Sequence, residues 1–140
     1  MRVPNYDTAK EDSNFQSYHS FTPSNTFRML VCGPSGCGKT NTLMHMLYNL
    51  LYFDKIYLYS KNLEQPKYQE LFQTFAPISG ECGYDVIEGS NDEIMPVSEL
   101  DDDNQKIVIF DDFVCEKNKK PLIEYFIRGR HKNCSVIYLS

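Results

Sequence analysis

Apolar and polar residues alternate in blocks along this chain, and the blocks predict an alternation of strands and helices. Short apolar runs, of a length suited to buried strands, occupy residues 27–32, 55–59, 107–110 and 135–140. Longer segments between these runs carry apolar residues at helical spacing. Strands that alternate with helices favour a parallel sheet with helices on both faces. We therefore predict an α/β fold.

Three segments have the pattern of helices. From Lys39 to Leu51 the apolar residues point to nearly all sides, which suits a helix buried against a sheet. A second helix is predicted to open at Pro66, with one apolar face made of Tyr68, Leu71, Phe72 and Phe75. A third is predicted to start at Asn118, with Pro121 in its first turn and an apolar face made of Leu122, Ile123, Phe126 and Ile127. The segment 84–89 is a candidate for a short extra strand.

Length and composition indicate one globular domain. The chain has 140 residues, of which 41% are hydrophobic and 24% charged, and this suffices for a single core. Residues 1–25 are polar and aperiodic, so we interpret them as a flexible lead-in to a domain over 26–140. No apolar run approaches the roughly 18 residues that span a bilayer. The N-terminus lacks the apolar core of a signal peptide, so we expect a protein that is not secreted and contacts no membrane.

The cysteines and the net charge bear on the expected cellular compartment and on the expected binding partners. Five cysteines without a CxxC pair argue against a disulfide framework or a zinc site, and favour the cytoplasm or nucleus. The net charge of −5 is not that of a typical free-standing nucleic-acid binder, although a ring-shaped assembly can concentrate basic loops at its centre. The acidic run Asp101–Asp103 is interpreted as a solvated turn rather than a metal site.

The stretch "VCGPSGCGKT", residues 31–40, carries the clearest chemistry. It fits the pattern G-x-x-x-x-G-K-[ST], in which glycines let backbone N–H groups approach phosphate oxygens. The loop opens a predicted helix, whose N-terminus favours anions. Lys39 is expected to reach the β- and γ-phosphates, and the Thr40 hydroxyl to bind Mg²⁺. The residues expected to surround the nucleotide are Gly33, Pro34, Ser35, Gly36, Cys37, Gly38, Lys39, Thr40 and Asn41.

Two aspartates supply the second half of such a site. Asp111 directly follows the apolar run 107–110, where a P-loop protein needs a carboxylate that holds Mg²⁺. Asp112 comes next, and we favour it as the base that polarises the attacking water. The alternative is that Asp112 only caps the turn after the strand.

Motifs elsewhere in the chain help to distinguish between the classes of P-loop protein. The N-K-x-D signature of GTPases is absent, because "NKKP" at Asn118 lacks the aspartate, and no D-x-x-G follows the strand. Nothing resembles the arginine-rich lid of a small-molecule kinase. Two acidic residues at a strand end are typical of the additional-strand ATPases, which perform mechanical work.

Three motifs in order, "FRMLVCGPSGCGKT", "IVIFDDF" and "FIRGRHKNCSVIYLS", resemble the DNA-packaging ATPases of poxviruses, other large DNA viruses and Maverick (Polinton) transposons. The resemblance covers about residues 27–140 and places the chain in the FtsK–HerA group of DNA-pumping motors. The first two motifs are general to P-loop ATPases. The third, which includes Arg128 and Arg130, makes the resemblance specific.

This resemblance implies a homo-oligomeric ring that hydrolyses ATP with Mg²⁺ and drives double-stranded DNA into a capsid. It also implies a capsid or portal protein as a partner and a location in the cytoplasm, nucleus or virion. Arg128 or Arg130 becomes a candidate arginine finger for a neighbouring subunit, without a choice between them. The alternative for both is a solvated basic residue near a helix C-terminus.

The same resemblance implies a polar sensor residue after the last strand, just past Ser140. We therefore expect the chain to be a C-terminally truncated copy of the domain. Two other functions stay open on the sequence. One is a nucleotide-binding switch or scaffold without translocation, and the other is a small-molecule kinase.

Overall fold

The computed structural model describes residues 23, 25–75, 83–88, 94–112 and 119–140. In this part of the chain, five strands form one parallel sheet in the order β1-β5-β4-β2-β3. The strands are β1 (Arg28–Val31), β2 (Lys55–Ser60), β3 (Gly83–Glu88), β4 (Lys106–Asp111) and β5 (Cys134–Leu139). The helices are α1 (Lys39–Asn49), α2 (Pro66–Phe75) and α3 (Lys120–Arg128). The predicted strands, including the extra strand near 84–89, are confirmed.

Strand β4 is apolar on both sides, because helices cover both faces of the sheet there. Along β4, Ile107 and Ile109 pack into one cluster with residues of α1 and α2. Val108 and Phe110, which alternate with them, pack into a second cluster with residues of α3. Side chains of successive strand residues point to opposite faces, so a strand covered on both sides reads as one continuous apolar run. The prediction of a parallel sheet with helices on both faces is therefore confirmed.

Two helices bury less of their surface than their sequence pattern predicts. In α1 the buried residues are Leu43, Met44 and Leu47, and Tyr48 on another side is 38% exposed. The prediction of a helix packed against a sheet is confirmed, because the three buried residues of α1 share a cluster with strand residues such as Ile107 and Ile109. None of the helices in the described ranges is long and apolar enough to cross a membrane.

The face that helix α3 presents to the core coincides only in part with the predicted one, since Leu122 and Phe126 pack there as predicted. Asn118, the predicted start, lies outside the described residues, and α3 is described from Lys120. Leu122 and Tyr125 are buried, whereas Ile123 and Ile127 are 49% and 61% exposed. The reason is Tyr125: its hydroxyl donates a hydrogen bond to the carbonyl of Met95 at 2.6 Å, and its ring packs edge-on against Phe110. The buried position of α3 is therefore taken by Tyr125, an amphipathic residue with a buried hydrogen-bond partner, and Ile123 and Ile127 lie outside the core.

The acidic run 101–103 also differs from its prediction as a plain solvated turn. The carboxylate of Asp101 contacts the ammonium groups of Lys55 and Lys106 at 3.0 and 3.2 Å, and Lys106 is fully buried. We name Lys55, Asp101 and Lys106 the edge cluster, because it joins the N-terminal ends of β2 and β4. Burial alone raises the pKa of Asp101, but the N–H of Asn104 and the two lysines outweigh it and hold that pKa below its usual range. The run is therefore part of the fold, with Asp102 and Asp103 exposed beside it.

Candidate functional site

The carboxyl ends of the parallel strands meet along one edge of the sheet, and a cleft of about 550 Å³ lies there. Ligands of open α/β sheets bind in this kind of crevice. The loop 33–41 forms one wall of the cleft, and the end of β2 with the start of α2 forms another. Asp111, Asp112 and Ser140 complete the lining. The structure thus brings the glycine-rich loop and both predicted aspartates to one place.

The two glycines fixed by the sequence pattern are required by the shape of the loop. Gly38 has φ of 95° and lies immediately before α1, in a left-handed conformation that side chains rarely adopt. A Cβ on Gly33 would lie only 2.5 Å from Sγ of Cys37. Pro34 and Cys37, predicted as nucleotide contacts, are not among the residues that line the cleft, and the N–H of Cys37 donates to the carbonyl of Pro34 at 3.3 Å. The loop therefore turns sharply and delivers Lys39 and Thr40 as the first residues of α1.

Lys39 places its ammonium group across the mouth of the loop. Its Nζ donates hydrogen bonds to the carbonyls of Gly33 and Pro34 at 2.6 and 2.9 Å. An ammonium carries three donors. In this position the charge of Lys39 is held at the cleft without a carboxylate partner among the described residues. An anion that enters the cleft can take over these hydrogen bonds.

Asp111 lies at the last position of β4, and hydroxyl groups hold its carboxylate. Tyr68 of α2 donates a hydrogen bond to Oδ2 of Asp111 at 2.6 Å. Ser60, at the last position of β2, donates to the same oxygen at 3.4 Å. Strand register explains the second contact, because Ser60 is the partner of Asp111 across the β2–β4 pair.

Burial and the neighbouring Asp111 together keep Tyr68 protonated. Burial raises the pKa of Tyr68 far above its ordinary value, and its hydrogen bond and proximity to Asp111 raise it further. A hydrogen bond with the hydroxyl of Thr40 offsets only part of this rise. The phenol therefore stays protonated and donates its hydrogen bond to Asp111.

The donor set fits Mg²⁺. No group of three or more His, Cys, Asp or Glu side chains in the described residues could by itself hold a metal ion. Mg²⁺ is usually bound through one or two carboxylates together with phosphates and waters. Thr40 and Asp111, which both line the cleft, offer the hydroxyl and the carboxylate that such a site would use.

Asp112 adopts a strained backbone conformation at the edge of the cleft. Its φ is 61°, in the left-handed region, and its N–H donates to the carbonyl of Leu139 at 3.1 Å. Non-glycine residues in this region are uncommon and cluster at functional sites. The turn after β4 thus exposes Asp112 to the cleft immediately next to Asp111.

The end of β5 supports the glycine-rich loop. The N–H of Ser140 donates to the carbonyl of Val31 at 3.0 Å, and the N–H of Gly33 donates to the carbonyl of Ser140 at 3.3 Å. These two bonds extend the β1–β5 pairing into the loop. As a result, Ser140, the position just after β5, adjoins the glycine-rich loop.

The two candidate arginines lie far from this cleft within their own chain. Arg128 ends α3, and Arg130 belongs to the short 3-10 turn Gly129–Lys132 that precedes β5. Both side chains are exposed. Because β5 runs parallel to β1, its beginning lies at the opposite edge of the sheet from the cleft. The structure does not bring either arginine together with Lys39 and Asp111.

Sequence reasoning missed two residues of the site. Tyr68 was predicted only as part of an apolar helix face, and Ser60 was not singled out. Both carry hydroxyl groups and are at most 1% exposed. A buried hydroxyl needs a hydrogen-bond partner, but no local pattern identifies Asp111 as that partner, because Tyr68 and Ser60 lie 43 and 51 residues away from it.

Comparison with known proteins gives one finding. A family described as "Poxvirus A32 protein" matches residues 13–140 of the chain. The match spans the glycine-rich loop, both aspartates and both arginines, and it begins inside the segment predicted as a lead-in. No curated protein and no solved structure matches the chain.

Proposed function

The chain belongs to the poxvirus A32 protein family, and from this premise we propose that it is the ATP-binding core of a motor that packages viral DNA. The family is one of viral genome-packaging ATPases. Within it, the proposed activity is Mg²⁺-dependent hydrolysis of ATP coupled to movement of double-stranded DNA. The proposed location is inside the infected cell or the virion.

One observation carries this proposal. The cleft brings together Lys39, Thr40, Asp111 and Asp112, although they come from two segments about 70 residues apart. A loop that meets only the glycine pattern could be a chance turn. The same loop beside two carboxylates at the end of a parallel strand has the parts that phosphoryl transfer needs.

The order of strands supports the additional-strand type of ATPase and, with it, the FtsK–HerA group. Strand β5 lies between β1, which leads into the glycine-rich loop, and β4, which ends in the aspartates. An inserted strand of this kind separates the two halves of the site and brings its own carboxyl end between them. Ser140, at that end, lines the cleft. We propose that the domain spans residues 26–140 and that a polar sensor residue follows β5.

The proposed roles of the residues follow from their positions. Backbone N–H groups of the loop bind phosphate oxygens, and the Lys39 ammonium exchanges its carbonyl partners for the β- and γ-phosphates. Thr40 and Asp111 hold Mg²⁺, which neutralises charge on the phosphates when bound. Asp112 accepts the proton of the attacking water. Its left-handed backbone places it at the cleft beside Asp111.

The remaining parts of the proposal concern assembly. We propose a homo-oligomeric ring in which Arg128 or Arg130 enters the cleft of a neighbouring subunit. Their exposure, at the sheet edge opposite to their own cleft, supports a role between subunits. Double-stranded DNA and a capsid or portal protein are the proposed partners.

The decisive experiment measures ATP hydrolysis with and without double-stranded DNA. We expect hydrolysis that requires Mg²⁺ and rises with DNA in the wild-type chain, and neither in Lys39→Ala. Lys132→Ala is a matched control, because it removes the same charge at the opposite edge of the sheet, where Lys132 contacts Asp102 at 2.7 Å. It should hydrolyse ATP like the wild type.

Two results would redirect the proposal. Nucleotide binding that is lost in Lys39→Ala, without any hydrolysis or response to DNA, would indicate a switch or scaffold. Transfer of the γ-phosphate to a small molecule would indicate a kinase. A wild-type chain that binds no nucleotide would overturn the proposal entirely.

A further inference from the structure

Tyr68 stands at the centre of the site although it does not line the cleft. It belongs to the first turns of α2, it is fully buried, and its hydroxyl contacts Asp111 at 2.6 Å. The Thr40 hydroxyl lies near the same phenol and lowers the pKa of Tyr68. Tyr68 is thus next to both residues proposed to hold Mg²⁺.

The hydrogen bonds to the Asp111 carboxylate both fall on one of its two oxygens. The hydroxyls of Tyr68 and Ser60 both contact Oδ2. Among the described residues, no hydrogen bond to the other oxygen, Oδ1, competes with a cation. Two donors on one oxygen restrict rotation of the carboxylate about its last bond. Oδ1 is therefore the oxygen of Asp111 that these hydroxyl groups leave available to a cation.

The position of the Tyr68 hydroxyl is itself fixed by packing. The Tyr68 ring lies in the apolar cluster that α1 and α2 form with the sheet, and it shares that cluster with Leu43 and Leu71, both at most 1% exposed. The backbone N–H of Tyr68 bonds to the carbonyl of Gln65 at 3.0 Å. A buried ring has few alternative rotamers, so its hydroxyl cannot leave Asp111 without disturbing the core.

We propose that Tyr68 is a positioning residue of the magnesium site, which tightens Mg²⁺ binding by holding the Asp111 carboxylate in place. This inference rests on the proposed function. The physical basis is general: partners that orient a metal ligand contribute 10–100-fold to metal affinity. Tyr68 also connects α2 to the site, so a shift of this helix would change the orientation of Asp111.

Tyr68→Phe tests the inference, because it removes one hydroxyl and keeps the packed ring. The probe is a fluorescent ATP analogue, whose binding is measured in EDTA and then at rising Mg²⁺ concentration. We expect unchanged binding in EDTA, whereas the Mg²⁺ concentration for half-maximal gain in affinity should rise by about 10-fold or more. This readout does not depend on hydrolysis.

Tyr125→Phe is the matched control. Tyr125 is also fully buried, and its hydroxyl also donates one hydrogen bond of 2.6 Å, but the acceptor is the Met95 carbonyl on the other face of the sheet. Its loss should lower stability without changing the Mg²⁺ midpoint. Ser60→Ala provides a second, milder test at the same carboxylate oxygen, with a smaller rise of the midpoint in the same direction.

The outcomes separate this inference from the proposed function. A Tyr68→Phe chain with the wild-type Mg²⁺ midpoint, or with a lower one, would overturn the positioning role while the nucleotide site stands. An equal change in Tyr125→Phe would overturn it too, since the effect would then be structural. A wild-type chain that binds no nucleotide would overturn both proposals.

Discussion

At the scale of single residues, the site depends on a few backbone and side-chain positions with little freedom. Gly38 and Asp112 both have positive φ, and they lie at the start of α1 and just after β4. Glycine adopts such a conformation at no steric cost, whereas aspartate does so under some strain. The strained residue is the one proposed to act on water. We infer that the turn after β4 keeps Asp112 at the cleft even though another residue would be more relaxed there.

Replacement of Asp112 by asparagine separates its two candidate roles. Asparagine also tolerates the left-handed region, so the turn should keep its shape and its stability within about 0.5 kcal/mol. If Asp112 is the base, ATP hydrolysis should fall by about 10²–10⁴-fold with nucleotide affinity unchanged. Steady-state hydrolysis and titration with a fluorescent ATP analogue measure the two quantities.

The alternative role predicts the opposite pattern. If Asp112 only caps the turn after β4, Asp112→Asn should retain hydrolysis close to that of the wild type. Lys132→Ala, at the far edge of the sheet, serves as the control for a loss of charge that leaves the cleft untouched.

At the scale of elements, α2 and α3 are each held in place by a buried tyrosine, a residue with both apolar and polar parts. Tyr68 fixes α2 through Asp111, and Tyr125 fixes α3 through the Met95 carbonyl. A phenol buried in this way gains apolar contact from its ring and specificity from its hydroxyl. The buried face of α3 therefore follows Tyr125 rather than the isoleucines at positions 123 and 127.

Two alanine substitutions in α3 check which face meets the core. Leu122→Ala should lower the free energy of unfolding by about 2–4 kcal/mol, because Leu122 is buried in the second apolar cluster. Ile127→Ala should change it by less than about 0.5 kcal/mol, since that side chain is largely exposed. Urea denaturation gives both values. Similar losses in the two variants would contradict the orientation of α3 described above.

The edge cluster at the other end of the strands makes stability depend on pH. The pKa of Asp101 is held below its usual range in the folded chain. Its contribution to the free energy of unfolding is therefore complete above the unfolded pKa of about 3.9, and it is lost as the pH falls toward the folded pKa. Asp101→Asn should lower the free energy of unfolding at pH 7 by about 1 kcal/mol, a modest value because Asp101 is partly exposed. This difference from the wild type should shrink below about pH 4.

Asp103→Asn is the matched control for this prediction. It makes the same chemical change two residues away, at an exposed side chain. Urea denaturation at pH 7 and pH 3 should show no pH-dependent difference between Asp103→Asn and the wild type. A difference between Asp101→Asn and the wild type that stays constant with pH would contradict the proposed contribution of the carboxylate.

At the scale of the whole molecule, the sheet separates two sets of functional residues. The proposed nucleotide cleft occupies the edge where the strands end, and the candidate arginines Arg128 and Arg130 lie at the edge where β5 begins. One subunit therefore cannot bring Arg128 or Arg130 to its own cleft. In the proposed ring, one edge of a subunit would have to meet the other edge of its neighbour.

Mixing experiments test an arginine supplied between subunits. Alone, Lys39→Ala and the variant of the finger arginine should each hydrolyse ATP at least about 10³-fold more slowly than the wild type. In a mixture, an intact cleft in the arginine variant can meet an intact arginine in the Lys39→Ala chain, and hydrolysis should partly return. The assay uses Arg128→Ala and Arg130→Ala separately.

A mixture of Lys39→Ala with Lys132→Ala gives the reference rate of ATP hydrolysis for a mixed assembly. The reason is that Lys132→Ala carries both an intact cleft and intact arginines. Failure of both arginine variants to lose activity would indicate that Arg128 and Arg130 are solvated basic residues. A loss that mixing never repairs would indicate a structural role within one subunit.

The sequence by itself determined the strands, the glycine-rich loop and the aspartates at the end of β4. These features are local: a run of apolar residues, two glycines at a fixed spacing, and carboxylates next to a strand. Tertiary structure alone decided the strand order, the buried face of α3, the pairing of Asp101 with Lys106, and the contact of Tyr68 with Asp111. The physical reason is that each of these depends on which elements become neighbours, and a buried hydroxyl or ammonium takes whichever partner the packed sheet brings within reach.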